Sequence, residues 1–296
     1  MIITDPVFSI VIPTFERRAE LAHCLGSLAS LDFPRDHFEV VVVDDGSASA
    51  PADIVAAFHS AMRITLLTRP HAGPAAARNT GARRARGTFL AFTDDDCVPA
   101  PGWLAKLSAR LTTEPAAMVG GHTINRLVDN PYSAASQLVI DLVYAHHNAD
   151  PDHAAFFASN NMTLGRDAFR ALGGFDERFS ESEDRDLCRR WLASGGRMRY
   201  APEAVVYHAH PLRLRTFWRQ HFNYGRGALR FYRAAGLRWS RELGLQGALY
   251  THLPRLLPRM LAGMPARRML GVLALLTIWQ TANVAGVVWE ATTRRS

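Results

Sequence analysis

The side chains best suited to chemistry in this sequence are acids, and they fall in three groups. Asp94-Asp95-Asp96 places three carboxylates side by side. Carboxylates held this close repel one another, and a divalent cation relieves that repulsion. Along an extended segment residues i and i+2 share a side, so Asp94 and Asp96 are expected to face one ligand while Asp95 points away. Asp44-Asp45-Gly46-Ser47 is an ordinary Asp-Gly turn that also offers a carboxylate to the donors of a base or a ribose. Glu181-Ser-Glu-Asp-Arg-Asp-Leu187 opens a helix. Acids there suit the helix macrodipole, and one within reach of a hydroxyl can also take its proton. His208 and His210 follow a short apolar run and are potential metal ligands, although a histidine there is also an ordinary packed or solvent-facing residue. No Ser-His-Asp or Cys-His pattern is evident. Cys24, Cys97 and Cys188 form no CxxC pair, which excludes a zinc ribbon, and three sparse cysteines exclude a disulfide scaffold.

The surrounding elements must hold these groups in place. Phe8 to Pro13 reads as a buried strand, and Arg17 to Leu31 as a helix with Leu21, Leu25 and Leu28 on one face. Phe38 to Val43 is a second strand, Pro51 to Met62 a helix, and Arg63 to Leu67 a third strand. Pro74 to Arg86 is an alanine-rich helix, and Thr88 to Thr93 a fourth strand. This alternation demands parallel strands joined by right-handed crossovers, an α/β doubly wound sheet. Ligands of such sheets sit beyond the carboxyl ends of the strands, where Pro13 to Glu16, Asp44 to Ser47 and Asp94 to Asp96 all fall. Further on, strands are expected at Met118 to Ile124 and Arg197 to His208. Helices are expected at Pro131 to His147 and Ser182 to Ser194, and from Thr216 onward with breaks at Pro254, Pro258 and Pro265.

Composition narrows the function. In 296 residues, 48% are hydrophobic and 21% charged, so the chain is globular, and its mean hydropathy of -0.06 excludes a polytopic membrane protein. The net charge of +7 is uneven. From Arg197 to Ser296 there are 16 arginines, no lysine and three acids, which leaves the rest of the chain acidic. Lys106 is the only lysine, so the arginine excess reflects usage rather than nucleic-acid chemistry, and no nucleic-acid motif is visible. Met1 to Ser9 lacks a basic start and contains Asp5 and Pro6, so no export signal is read there. The expected location is the cytoplasm, at the cytoplasmic face of a membrane. No GxGxxG follows the first strand, which counts against a dinucleotide oxidoreductase. No Gly-rich, basic phosphate loop stands there either, which counts against a nucleotidyltransferase. A non-catalytic ligand-binding or membrane-scaffold protein is the remaining rival.

Four windows together carry a family resemblance: Ser9-Ile-Val-Ile-Pro-Thr14, Val41-Val-Val-Asp-Asp-Gly-Ser47, Gly73-Pro-Ala-Ala-Ala-Arg-Asn-Thr-Gly81 and Thr93-Asp-Asp-Asp96. In order and spacing they resemble the inverting family 2 glycosyltransferases of GT-A fold. With Gly173-Gly-Phe-Asp-Glu177 and the Glu183-Asp184 segment, the resemblance covers about three-quarters of the chain. It implies a metal-dependent transfer of one sugar from a UDP-, dTDP- or GDP-linked nucleotide-diphospho-sugar to a hydroxyl, with Mn²⁺ or Mg²⁺ as cofactor. By the same resemblance Asp45, with Asp44 beside it, contacts the base, and Arg78 lines the base pocket. Asp94 approaches the ribose, and Pro13, Thr14, Glu16 and Asp95 lie on the donor side. Glu16 stands where the family usually has Asn. Asp96 binds the metal, His208 completes its shell with His210 as fallback, and Asp184 is the general base, with Glu183 alongside and Asp186 a third candidate. Ser159 to Met162 resembles an acceptor-side strand, and Trp218 to Gln220 and Tyr224 to Gly227 a segment near the diphosphate. The Gln-x-x-Arg-Trp box of processive synthases is absent, which favours single-sugar transfer.

The carboxyl-terminal third adds a membrane expectation. Met269 to Trp289 runs 21 residues without a charge, a length able to cross a bilayer. Thr277, Gln280 and Asn283 recur along it as a polar stripe, which suits an interfacial or packed helix better than a span. Arg255, Arg259, Arg267 and Arg268 would meet anionic headgroups at about 1 kcal/mol each. A lipid-linked acceptor is then expected at that surface. The domain reading is a catalytic domain over 6–235, with a nucleotide-sugar half 6–125 and an acceptor half 126–235. A helical, basic, membrane-associated region covers 236–296.

Overall fold

The computed structural model describes residues 5–236, 258 and 265–293. Expectations that rest on Arg255, Arg259 or the side chain of Arg268 lie outside the described residues. In chain order the strands are β1 (Phe8–Thr14), β2 (Phe38–Asp44), β3 (Arg63–Thr68), β4 (Phe89–Phe92), β5 (Cys97–Pro99), β6 (Met118–Asn125), β7 (Met162–Gly165) and β8 (Met198–His208). The helices are α1 (Arg18–Leu28), α2 (Ala52–Ala56), α3 (Pro74–Arg84), α4 (Trp103–Thr113), α5 (Pro131–His147), α6 (Arg166–Ala171), α7 (Glu183–Ala193), α8 (Leu214–Ala234) and α9 (Ala266–Thr293). The chain forms two compact units, Met1–Ile124 with Asp150–Ala209, and Asn125–Ala149 with His210–Ser296.

The first unit is built on an eight-stranded sheet in the order β3-β2-β1-β4-β7-β6-β8-β5. β3, β2, β1 and β4 run parallel, as the strand-helix alternation requires. The second half of the sheet departs from the doubly wound pattern, because β7 is antiparallel to both β4 and β6, and β5 to β8. β1 and β2 are buried along their whole length, as uninterrupted β-branched runs covered on both faces should be. α1 packs Leu21, Cys24, Leu25 and Leu28 into the core built on Phe8, Ile10 and Ile12. Each fully buried leucine there contributes roughly 1.5–3 kcal/mol.

α3 lies unusually close to the sheet. Its buried residues are chiefly small, Ala75, Ala76, Ala77, Gly81 and Ala82, and a Cβ on Gly81 would run into Val11 of β1. That close approach carries Arg78, on the same helix, down to the sheet edge. α4 was not expected from the sequence, yet Trp103, Leu104, Leu107 and Leu111 recur at helical spacing and are all buried. The helix expected over 51–62 is shorter. Only Val55 of α2 is fully buried, and beyond Ala56 the chain turns through bonds such as His59 N–H to the Ala56 carbonyl. One buried residue gives a longer regular helix little to gain.

In the second unit α5 starts at a proline, with Asn130 accepting from the amides of Tyr132 and Ser133 as its cap. α8 and α9 cross backbone to backbone. A Cβ on Gly225 would meet the Asn283 carbonyl oxygen, and one on Gly286 the Phe222 carbonyl oxygen, so only glycine fits either position. Beyond that crossing Glu290, 1% exposed, takes charged hydrogen bonds from Arg226 (3.2 Å) and Arg230 (2.9 Å). The inner line of α9 includes Val272, Leu275, Leu276 and Ala282, and its outer line Leu270, Ala274, Thr277, Thr281, Val284 and Val288. Met269–Thr293 is long and apolar enough to cross a membrane.

Candidate functional site

The carboxyl ends of β1, β2 and β4 meet at one edge of the first unit, because these strands are parallel neighbours in register. The segment 93–96 leaves β4 there and turns at Asp95 and Asp96 instead of staying extended. The alternation expected for the triplet is therefore replaced by a different division. Asp95 and Asp96, each 5% exposed at the side chain, share one cation, since Arg17 Nη1 donates to Asp95 Oδ1 at 3.2 Å and to Asp96 Oδ2 at 2.8 Å. Asp95 also accepts from the Thr14 hydroxyl at 2.7 Å, so it faces into the site and not away from it. Asp94 goes elsewhere and accepts from Arg78 at 2.5 Å.

His208 reaches the triplet through the smallest strand of the sheet. β5 pairs with the end of β8 so that Cys97 lies opposite His208, and the Ala209 amide donates to the Asp96 carbonyl at 2.8 Å. His208 Nε2 then stands 3.2 Å from Asp96 Oδ1. Burial works against a charged imidazole here, yet the hydrogen bond and charge of Asp96 prevail and raise the His208 pKa. Burial pushes Asp95 up to about 7, with Arg17 pulling the other way and Asp96 adding to the rise. A carboxylate oxygen just ahead of β5 and an imidazole nitrogen at the end of β8, with a guanidinium already drawn to the neighbouring oxygens, are a donor set that fits a divalent cation. His210 opens the second unit, where its Nε2 lies 2.9 Å from Gln220 Oε1.

Arg78 links the triplet to the second acidic group. Its side chain is 4% exposed, and besides Asp94 it holds Glu183 at 2.9 Å and lies over the Phe175 ring. Glu183 and Asp184 start α7 directly after Ser182, whose φ of 74° is left-handed. Burial raises the pKa of both acids. Glu183 is neutralised by Arg78, whereas Asp184 forms no ion pair among the described residues and accepts from the Arg185 amide at 2.7 Å. Asp186, the third candidate, is matched by Arg190 at 2.6 Å and Arg189 at 3.2 Å, which makes it a structural ion-pair partner.

The remaining expected residues hold loops together. Asp45 accepts from the amides of Gly73 (2.7 Å) and Ala72 (3.2 Å), with His71 Nδ1 at 2.9 Å and Arg69 at 3.4 Å, so it fixes the segment ahead of α3. Asp44 accepts from the Ser47 amide. Pro13 is buried in β1 opposite Val43. Glu16 has a left-handed φ of 56°, accepts from the Ala48 amide at 2.6 Å, and donates its own amide to Ser47 Oγ, which joins the ends of β1 and β2. Asn161 is fully buried between the Trp103 indole and the Ala204 carbonyl, so its segment serves the core of the first unit. Trp218 to Gly227 belongs to α8 in the second unit. Sequence reasoning missed Arg17, which looks like a first-turn helix residue, and the exposed pair Phe15 and His71, stacked at 4.3 Å beside Asp45.

Comparison with known proteins identifies the family and the fold. The family model described as glycosyl transferase family 2 matches residues 9–173, more than half of the chain. The chain is 33% identical over 225 residues to pre-mycofactocin glycosyltransferase of Mycobacterium tuberculosis, covering 74% of this chain and 46% of that protein. It is 32% identical over 220 residues to validoxylamine A glucosyltransferase of Streptomyces hygroscopicus subsp. jinggangensis, covering 64% and 52%. The chain thus spans about half the length of these relatives. Among solved structures it resembles the mannosyltransferase PcManGT of Pyrobaculum calidifontis in complex with GDP-Man and Mn²⁺, with a TM-score of 0.69, 20% identity, and coverage of 99% of this chain and 89% of that one. It also resembles S. aureus TarS 1-349 in complex with UDP-GlcNAc, with a TM-score of 0.58, 16% identity, and coverage of 93% and 81%. At these identities the structural likeness shows the fold.

Proposed function

We propose that this chain, which belongs to glycosyl transferase family 2, transfers one sugar from a nucleotide-diphospho-sugar to a hydroxyl acceptor with inversion at the anomeric carbon. The observation that carries this reading is the pair of acidic groups joined by one buried arginine, Asp94 through Arg78 to Glu183, with Asp184 left without an ion pair among the described residues. The donor is a UDP-, dTDP- or GDP-linked sugar. Its nucleoside lies along Asp45, Arg78 and Asp94, at the strand ends where such sheets take ligands. Asp96 and His208 would hold Mn²⁺ or Mg²⁺, which supplies positive charge to the diphosphate leaving group when bound.

Asp184 takes the proton from the acceptor hydroxyl as its oxygen attacks the anomeric carbon. The bond from that carbon to the diphosphate oxygen breaks, and the nucleoside diphosphate leaves. A pKa raised by burial makes Asp184 a stronger base than an exposed aspartate. Replacing Asp184 by Asn is expected to lower transfer by about 10²–10⁴-fold, with donor affinity nearly unchanged. Loss of donor affinity in that variant would overturn its assignment as base.

The acceptor is a lipid-linked hydroxyl at the cytoplasmic face of a membrane. The outer line of α9, uncharged from Leu270 to Val288, supports this, as do Leu214 (50% exposed) and Trp218 (40%) of α8 among the exposed Arg213 ahead of that helix and Arg215 and Arg219 within it. Glu290, buried against two arginines of α8, supports a helix lying on the bilayer over one crossing it.

A further inference from the structure

Arg17 has no role in the reading above, yet it makes the closest cationic contact with Asp95 and Asp96. It follows the Pro13-Thr14-Phe15-Glu16 segment and precedes α1, so it is anchored at the end of β1. One nitrogen, Nη1, serves both acids at 3.2 and 2.8 Å. The acids are almost wholly buried, but the arginine side chain is 43% exposed. Its Nε and Nη2 donors make no hydrogen bond with the described residues. Arg17 therefore grips the acids with one end of its fork and keeps the rest of the fork available on the open side.

A guanidinium placed this way has two partners to choose between. Two buried carboxylates need a positive charge close by, and Arg17 is the nearest. A diphosphate offers oxygens that match the planar fork of arginine better than a single shared nitrogen does. A divalent cation held by Asp96 and His208 supplies positive charge beside both acids, weakens their hold on Arg17 and frees it for the diphosphate. We propose that Arg17 is an exchanging counter-ion of the donor site. It neutralises Asp95 and Asp96 when no donor is bound, and donates to the diphosphate of the nucleotide once a metal has taken its place at Asp96. This rests on the reading that the site takes a nucleoside diphosphate.

The exchange predicts two affinities that move in opposite directions. Arg17→Gln removes the competing cation, so Mn²⁺ alone, followed by the electron paramagnetic resonance of the free ion, binds about tenfold more tightly. The same variant loses the fork, so the nucleoside diphosphate with saturating Mn²⁺, followed by calorimetry, binds about tenfold more weakly. The nucleotide used is whichever of UDP, GDP, dTDP and CDP the wild-type chain binds. The matching nucleoside without phosphates is expected to bind equally to both proteins. Arg17→Lys keeps the charge without the fork, so it restores the weaker Mn²⁺ affinity but not the diphosphate affinity. Thermal melting of each variant establishes that it is folded. A merely structural Arg17 would move both affinities the same way or leave the diphosphate unaffected, and either result overturns the proposal. If the wild-type chain binds none of the four diphosphates, the donor reading falls and this proposal with it. If the wild type binds one and Arg17→Gln matches it, only the role of Arg17 falls.

Discussion

Glu183 and Asp184 are neighbours in sequence with different electrostatic fates, and Arg78 decides between them. Its guanidinium is buried and spans two acids, so removing it leaves Glu183 buried without a partner and Asp94 without its cation. Breaking such a pair from one side typically costs about 3–5 kcal/mol, because a charge is left uncompensated. Arg78→Met should lose about that much stability in urea denaturation, and a loss below about 1 kcal/mol would mean that the two acids do not depend on it. At this scale much was readable from the chain itself. Asp94 to Asp96, Arg78, Glu183 and Asp184 stand out by residue type and by their place at element ends. The partners were not readable. Whether Asp95 turns inward depends on a turn at 95–96 that the triplet does not encode, and Arg17 looks like any arginine at a helix start.

Helices and strands explain how distant residues meet. His208 comes beside Asp96 only because three residues, Cys97 to Pro99, pair with the end of β8. A strand that short has no periodicity to detect, which is why the meeting was legible only through family resemblance. The long apolar strands and α5 were legible, since their hydrophobic runs exceed a turn or two. The close crossing of α8 and α9 was not, because Gly225 and Gly286 acquire meaning only when the two backbones touch. Near this crossing lies His221, 1% exposed, with both ring nitrogens lacking a hydrogen-bond partner and with Phe217, Tyr224 and Trp279 around it. Burial lowers its pKa to about 4 from an ordinary value of about 6.5. The unfolded chain therefore takes up a proton that the folded unit refuses. The stabilisation is complete above pH 6.5 and is lost as pH falls toward 4, amounting to about 2 kcal/mol by pH 5. His221→Phe should lose correspondingly less stability between pH 7.5 and 5 than the wild type in denaturant titrations, and equal losses would refute the buried neutral histidine.

Over the whole molecule, charge and apolar surface are unevenly shared along the chain. Sixteen arginines and three acids follow Gly196, and the outer line of α9 carries no charge from Leu270 to Val288. Such a combination should bind phosphatidylglycerol vesicles, at about 1 kcal/mol for each arginine near the surface, and release from them as salt rises. Equal flotation with neutral and anionic vesicles would contradict an arginine-driven contact. The charge imbalance was plain in the sequence, whereas the docking of α9 through Glu290 needed the structure, because one acid among many arginines does not announce its partner. In the proposed function the strand-end acids hold a nucleoside diphosphate together with a metal. The most direct test is thermal unfolding against UDP, GDP, dTDP and CDP, each with and without Mn²⁺, for the wild type and Asp96→Asn. A ligand that binds only the folded state stabilises it by about 2.7 kcal/mol at a hundred times its Kd. A rise in Tm is expected with one diphosphate, and it should require both Mn²⁺ and Asp96. No rise with any diphosphate, or a rise indifferent to the metal and to Asp96, would contradict it.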